Sequence, residues 1–269
     1  MNPQPDLSPS VTGRRLSYAA FALVVVVYLA IIQFGGHFIA DWSGEDGTVT
    51  TRGVVVTMVI PLGLALAFTY GVVAALGWWR PVLRDDRPVN RWVWCVPVVL
   101  LVAILVGIDY GALAEKGWLF VLVLLVATQF VGWGEEGMFR GIGVTVLRNH
   151  ELSEGKVALW SSLIFGLVHL SNVFGHGASA VPQAILVSLA GYFFYLTRRV
   201  SGSNALNSVL HGLFDFALLS GSAVLLDQQG YVGAFAPILV YPVLAIVLFV
   251  KRRDIEPRDP RDDRTVSPV

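Results

Sequence analysis

Long apolar runs separated by short polar segments dominate the sequence. A helix needs about 20 residues to cross the hydrocarbon core of a bilayer, and eight of these runs have roughly that length. They lie near Leu16–Phe34, Val54–Leu76, Trp92–Ile108, Trp118–Ile142, Val157–Val173, Val181–Thr197, Asn204–Leu225 and Ala234–Val250. Strands of a membrane barrel would be shorter and would alternate in polarity, which these runs do not. The pattern predicts an all-α membrane protein, a bundle of about eight transmembrane helices.

The two ends of the chain differ from this apolar region. Residues 1–15 are rich in proline, serine and polar residues, and residues 251–269 are charged and interrupted by proline. Such segments cannot form a core. We therefore predict disordered tails at 1–15 and 251–269 that flank a single eight-helix transmembrane domain at 16–250. Arg14 and Arg15 would also suit a signal peptide, but no convincing small-residue cleavage site follows the first run, which favours a retained span.

The basic residues predict the orientation of the bundle. If the N-terminus is inside, 17 of the 19 Lys and Arg residues fall in inside segments, all except Arg52 and Lys116. Segments on the cytoplasmic side of membrane proteins carry such an excess. We therefore expect both termini inside, in a multi-pass protein of the cell membrane.

Composition agrees with this picture and narrows the partners. Hydrophobic residues make up 55% of the chain and charged residues 14%, which is more apolar surface than a soluble domain of this length can bury. The net charge of +0 gives no sign of a nucleic-acid partner, for which a basic surface would be expected. The lipid bilayer is therefore the expected surrounding.

Ionisable residues at membrane depth are costly, and here they cluster in three of the predicted helices. They are Glu135, Glu136 and Arg140 in the fourth, His169 in the fifth, and His211 and Asp215 in the seventh. At about 1.5 Å per residue, Glu135, His169 and His211 each lie roughly 13–20 Å from the inside ends of their helices. We expect these three side chains to line one polar cavity.

Spacing predicts which of these groups are neighbours. Residues four apart lie on one face of a helix, so that Glu136 can pair with Arg140, and His211 with Asp215. Phe165 is expected beside His169 for the same reason. Glu135 points about 100° away from Glu136, and the two carboxylates therefore have different surroundings.

This set of groups suits hydrolysis of an amide bond. The reaction needs an activated water, a base that takes its proton, and donors for the oxyanion. Glu135 is the candidate base, since a carboxylate gains basicity in an apolar pocket, and His169 would help to hold and polarise the water. His211 could then donate to the oxyanion, while the Glu136–Arg140 pair would fix the geometry of the fourth helix.

The three motifs together resemble a known family. Glu-Glu-x-x-x-Arg, then Phe-x-x-x-His, then His-x-x-x-Asp, in this order between about Gly132 and Phe216, is similar to the CPBP family of intramembrane proteases. That family, also called Abi, includes CAAX prenyl endopeptidases and bacteriocin-processing proteins. The resemblance implies an eight-helix fold and hydrolysis of a peptide bond in a membrane-associated protein or peptide.

The resemblance also implies roles for single residues. Glu135 matches the water-activating glutamate of the first motif, which Glu136 and Arg140 complete. His169 matches the histidine of the second motif. His211 and Asp215 match the third motif, which is thought to bind the oxyanion. Relatives that cleave prenylated proteins often carry asparagine at the position of Asp215. An ionised aspartate cannot donate a hydrogen bond, so Asp215 is protonated, orients His211, or ligates a metal. Zinc is a possible cofactor because two histidines with carboxylates can bind it, although no His-Glu-x-x-His occurs.

Two other function classes fit the same residues. His211 and Asp215 would also serve as a proton relay in a non-catalytic membrane transporter. Matching pairs of broken helices in two inverted halves would favour that class, and the sequence shows none. The other alternative is an immunity protein that binds a membrane peptide without cutting it.

Overall fold

The chain is all-helical in the part that its structure, a computed structural model, describes: residues 14–44, 50–172, 180–220 and 231–257. Eight helices in these ranges correspond to the eight predicted segments: α1 Tyr18–Ser43, α2 Thr51–Leu76, α3 Arg91–Gly107, α4 Trp118–Asn149, α5 Glu154–Val168, α6 Ala180–Ser201, α7 Asn204–Ser220 and α8 Ala236–Val250. Short helices at Trp79–Leu83 and Tyr110–Lys116 connect α2 to α3 and α3 to α4. The predicted all-α class is confirmed.

Four of the described helices are long and apolar enough to cross a membrane, namely α1, α2, α4 and α6. A fifth span results if α3 and the short helix Tyr110–Lys116, which are bent by 56° to each other, are counted as one. The remaining helices α5, α7 and α8 have 15, 17 and 15 residues. At 1.5 Å per residue they reach about 23–26 Å, somewhat less than a hydrocarbon core. Eight crossings and inside termini therefore stay predictions.

Two glycines determine how closely the helices of the site approach each other. A Cβ atom at Gly132 of α4 would lie 2.2 Å from the carbonyl oxygen of Ser208 in α7, and one at Gly166 of α5 would lie 2.5 Å from the carbonyl oxygen of Ala184 in α6. Both distances are too short for any side chain. Small residues of this kind allow the backbones of membrane helices to touch. Helix α4 therefore packs directly on α7, and α5 on α6.

The site lies where two apolar clusters meet. In the first cluster, α1 and α2 pack on α4 and α5 through residues such as Tyr28, Ala65 and Phe165. The second cluster joins α3, α4, α6, α7 and α8. His211 contacts a ring from each cluster, Phe165 in the first and Phe194 in the second.

Charged side chains join connecting segments at one end of the bundle. Asp85, after α2, accepts hydrogen bonds from Arg148 near the end of α4 at 2.9 Å and from Arg198 near the end of α6 at 3.0 Å. Arg199 donates to Glu256, beyond α8, at 2.9 Å. All four segments are predicted to lie inside, and these contacts bring them together at one end of the bundle.

The chain after α8 also packs on this end. Residues 251–257, part of the predicted C-terminal tail, form a turn and a short 3₁₀ helix at Arg252–Asp254. Trp92 donates through Nε1 to the carbonyl oxygen of Asp254 at 2.8 Å, and Ile255 is buried. Of the two predicted tails, residues 1–13 and 258–269 lie outside the described residues.

Candidate active site

The site is built on a wide turn of α4. Residues Glu136–Gly143 form a π-helix within α4, and such segments often occur at functional sites. Helix α4 continues past the predicted end of its span at Ile142 and ends at Asn149. Arg140, which the charge count includes among the inside residues, lies within this helix and is wholly buried.

The Glu136 carboxylate holds α4 and α7 together. It lies 3.2 Å from Nη1 of Arg140 and 2.8 Å from Nδ1 of His211, and it accepts a hydrogen bond from Nδ2 of Asn207. The side chains of Glu136 and Arg140 are both 0% exposed. The ion pair predicted from the spacing of these two residues is formed, and its carboxylate also receives two groups from α7.

Arg140 connects α4 to α5. Its guanidinium carbon lies 3.8 Å from the centre of the Phe165 ring. A cation over an aromatic face is attracted by the negative face of the ring. The buried charge of Arg140 is therefore countered by Glu136 on one helix and by Phe165 on another.

Glu135 and His169 line a cavity of about 90 Å³. This volume accommodates about three water molecules at their share of liquid volume. The Nδ1 atom of His169 lies 2.8 Å from the carbonyl oxygen of Phe165, to which it donates, so that Nε2 is the free acceptor of a neutral ring. The predicted contact of Phe165 with His169 is formed, with ring centres 4.8 Å apart.

His211 and Asp215 lie beside Glu135 and are not among the residues that line this cavity. The Nε2 atom of His211 is 3.7 Å from Oε2 of Glu135 and 3.7 Å from Oδ2 of Asp215. Of the three residues expected to line one cavity, Glu135 and His169 do so and His211 does not. The Nδ1 atom of His211 instead lies 2.8 Å from Oε1 of Glu136.

Sequence reasoning missed Asn207 and Phe194. Asn207 binds Glu136, and its position four residues before His211, on the same helical face, is a signal that could have identified it. The Phe194 ring stacks on the His211 imidazole with centres 4.6 Å apart and planes 15° apart. No periodic pattern separates Phe194 from its aromatic neighbours, so this contact had no signal in the sequence.

Residues of α1 also line the cavity, as do residues that directly follow α5. Those on α1 are Tyr28, Leu29, Ile32 and Gln33, and those after α5 are Ser171 and Asn172. Neither segment contains a site residue that is predicted from the sequence. Helix α1 therefore forms part of the wall that encloses Glu135 and His169.

The described residues do not fit a zinc site. They contain no group of three or more His, Cys, Asp and Glu side chains placed to hold a metal ion. Catalytic zinc sites take three protein ligands and leave one position open.

Comparison with known proteins bears on the segment that holds the three motifs. Residues 117–217 match the model of a family described as Type II CAAX prenyl endopeptidase Rce1-like. This range holds all of α4, α5 and α6 and most of α7, with all six site residues predicted from the sequence. No curated protein and no solved structure matches the chain. The family match confirms the resemblance inferred from the three motifs: residues 117–217 of this membrane protein are similar to the CAAX prenyl endopeptidases.

Proposed function

We propose that the chain is an intramembrane endopeptidase that hydrolyses a peptide bond of a membrane-associated protein or peptide in the cell membrane. The observation that carries this proposal is that Glu135 and His169, both in the family-matched segment, line one small cavity. A carboxylate and an imidazole that line one small cavity are groups that can activate a water molecule.

The reaction runs through a water held between Glu135 and His169. Glu135 takes one proton of the water while the water oxygen bonds to the carbonyl carbon of the substrate, and the carbonyl electrons move onto its oxygen. When the carbonyl re-forms, the C–N bond breaks and the leaving nitrogen takes the proton from Glu135. The products are a carboxylic acid and an amine, between which the acid proton then passes to give a carboxylate and an ammonium, and Glu135 returns to its starting carboxylate form.

His211 and Glu136 position the base. Because Glu136 accepts from Nδ1 of His211, the Nε2 atom of the same ring is directed toward Glu135 and Asp215. The ring is further held by the Phe194 stack. By the family resemblance His211 also donates to the oxyanion, with Asp215 beside it.

Mass spectrometry of peptides tests the proposal. The purified protein is incubated in mixed micelles with a library of hydrophobic peptides, and cleavage products are identified. We expect the wild type to cleave at least one peptide and Glu135→Gln to slow that cleavage by about 10²- to 10⁴-fold, the range for loss of a general base. Glu151→Gln, the same change in an exposed turn, is the matched control and should cleave at the wild-type rate. Cleavage by Glu135→Gln at the wild-type rate, with both variants equally folded, would refute the role of Glu135.

A further inference from the structure

Helix α1 carries two polar side chains in an otherwise apolar run. Between Ala19 and Phe34 the only side chains with polar atoms are Tyr28 and Gln33, and both line the cavity that holds Glu135. Polar groups inside a membrane are costly and tend to mark functional positions. This placement cannot follow from the family-matched segment, because α1 lies outside residues 117–217.

The Tyr28 hydroxyl is close to the proposed catalytic base and makes no hydrogen bond to the residues that the structure describes. Tyr28 is 1% exposed, and a Cβ atom at Gly134 would lie 3.1 Å from its hydroxyl oxygen, which places the hydroxyl against the residue before Glu135. Within the described ranges no group accepts a hydrogen bond from it. Buried tyrosine hydroxyls usually find a partner, so this donor is available to a ligand in the cavity.

The Gln33 side chain is fixed by residues that follow α5. Its Nε2 atom donates to Oγ of Ser171 at 3.2 Å and to Oδ1 of Asn172 at 3.1 Å. Asn172 is held in turn by Gln183 of α6, to which it donates at 3.1 Å. With both donated bonds made through Nε2, the Oε1 atom of Gln33 is left as an acceptor at the cavity wall.

We propose that Tyr28 and Gln33 form a subsite that binds the main chain of the substrate at the bond to be cut. The Tyr28 hydroxyl donates to the carbonyl oxygen of the scissile peptide unit, and Oε1 of Gln33 accepts from a neighbouring main-chain N–H. A peptide unit presents one acceptor and one donor, and these two side chains offer the complementary pair. The ligand is therefore an unwound, extended peptide segment, since a helical segment has already used its main-chain groups internally.

This subsite rests on the proposed function, and its two residues are expected to affect different kinetic constants. Negative charge develops on the carbonyl oxygen only as water adds, so the hydrogen bond from Tyr28 strengthens in the transition state and acts on kcat. The hydrogen bond to Gln33 involves an N–H that stays neutral throughout the reaction. It therefore stabilises the bound substrate and the transition state equally, and its loss raises KM.

Steady-state kinetics on the cleaved peptide separate the two contributions. Tyr28→Phe should lower kcat by about 10²- to 10³-fold, the range for loss of one oxyanion donor, with KM changed less than about 2-fold. Gln33→Met should raise KM by about 2- to 12-fold, the range for loss of one neutral hydrogen bond, with kcat unchanged. Tyr18→Phe is the matched control: Tyr18 lies on the same helix, stacked on His150, is 48% exposed and does not line the cavity.

A phosphinate analogue of the cleaved peptide gives a readout that a purely structural role would not change. The oxygens on its tetrahedral phosphorus imitate the oxyanion, so Tyr28→Phe should weaken binding of the analogue by about the same factor by which it lowers kcat. The uncleaved peptide, in contrast, should bind to the double variant Glu135→Gln/Tyr28→Phe as tightly as it binds to Glu135→Gln. Wild-type kinetics and analogue affinity in Tyr28→Phe and Gln33→Met would overturn the subsite and leave the proposed function intact, provided that Glu135→Gln still slows cleavage by about 10²- to 10⁴-fold. A wild type that cleaves no peptide would overturn both.

Discussion

The Nδ1 atom of His211 lies 2.8 Å from Oε1 of Glu136, and this contact joins α7 to α4 at the depth of the site. The same carboxylate pairs with Arg140 and accepts from Asn207, with the side chains of Glu136 and Arg140 fully buried. Its neighbour Glu135 instead reaches the cavity. The two adjacent glutamates thus have different roles, since Glu136 joins α4 to α7 whereas Glu135 faces the cavity, where a water molecule can reach it.

Neutralising each glutamate should therefore have opposite consequences. Glu136→Gln leaves Arg140 buried without its counter-charge, which we expect to cost about 3–5 kcal/mol in the free energy of unfolding. Glu135→Gln should leave the unfolding free energy within about 1 kcal/mol of wild type while cleavage is lost. Denaturant unfolding in detergent, followed by tryptophan fluorescence, measures both. An equal loss of stability in the two variants would contradict this division.

The double variant tests whether Arg140 is the partner that matters. Since Glu136→Gln/Arg140→Met removes both charges, its loss of stability should be smaller than the sum of the two single losses by about 0.5–3 kcal/mol. Additive losses would show that the two side chains stabilise the fold independently. The same unfolding measurement on the three variants completes the cycle.

The neighbouring aspartates Asp85 and Asp86 differ in their surroundings and should differ in effect. Asp85 is buried between Arg148 and Arg198, whereas Asp86 pairs with Arg80 at 3.4 Å with both side chains about three-quarters exposed. Asp85→Asn should cost about 3–5 kcal/mol because it leaves the buried Arg198 unpaired. Asp86→Asn should change stability by no more than about 1 kcal/mol, as for other surface pairs. Comparable losses in the two variants would contradict the buried network.

Acid should weaken the same network. Burial raises the pKa of the Asp85 carboxyl, but Arg198 and Arg148 lower it by more, so that this pKa lies below its ordinary value. A carboxyl with a lowered pKa in the folded state contributes stability that is complete above its unfolded pKa of about 3.9 and is lost as the pH falls through the folded value. Unfolding between pH 6 and pH 2 should show this loss in the wild type and a shallower loss in Asp85→Asn. Parallel curves would rule out this contribution.

Two adjacent phenylalanines allow the stack on His211 to be tested. Phe194 stacks on His211, while Phe193 packs on Tyr241, and both are at most 2% exposed. Phe194→Leu and Phe193→Leu should therefore cost similar stability. Only Phe194→Leu should also lower kcat, by about 2- to 12-fold, because an aromatic pair contributes about 0.5–1.5 kcal/mol beyond its buried area. An equal kcat in the two variants would show that the stack does not position His211.

The side-chain contacts that the sequence predicts correctly at the site are those between residues of the same helix. Glu136 with Arg140, and Phe165 with His169, are each four residues apart, so their contacts follow from helical geometry alone. The fold class likewise follows from the apolar runs, because lipid admits few alternatives to helices.

Contacts between helices were beyond this kind of reasoning. The side chains of Tyr28 and Gln33 reach the cavity because α1 packs against α4 and the end of α5, and nothing in the local pattern of α1 specifies that partner. The stack of Phe194 on His211 likewise depends on the packing of α6 against α7. The predicted span of α4 ends at Ile142 and already includes the polar motif, whereas the helix itself continues to Asn149.

The closest approach of α4 and α7 gives a test of the site's geometry as a whole. A Cβ atom at Gly132 would lie 2.2 Å from the backbone oxygen of Ser208, so Gly132→Ala should force the two helices apart. We expect a loss of about 1–3 kcal/mol in stability and a larger relative loss of cleavage, because His211 and Asn207 would move away from Glu136. Gly71→Ala in α2 is the matched control, since its Cβ would meet nothing within 4 Å, and alanine in an open helical position should be neutral or stabilising by up to about 1 kcal/mol. Equal stability and equal cleavage in Gly132→Ala and Gly71→Ala would show that α4 and α7 do not touch at Gly132. The close packing that is proposed to hold His211 against Glu136, and so to orient Glu135, would then be absent.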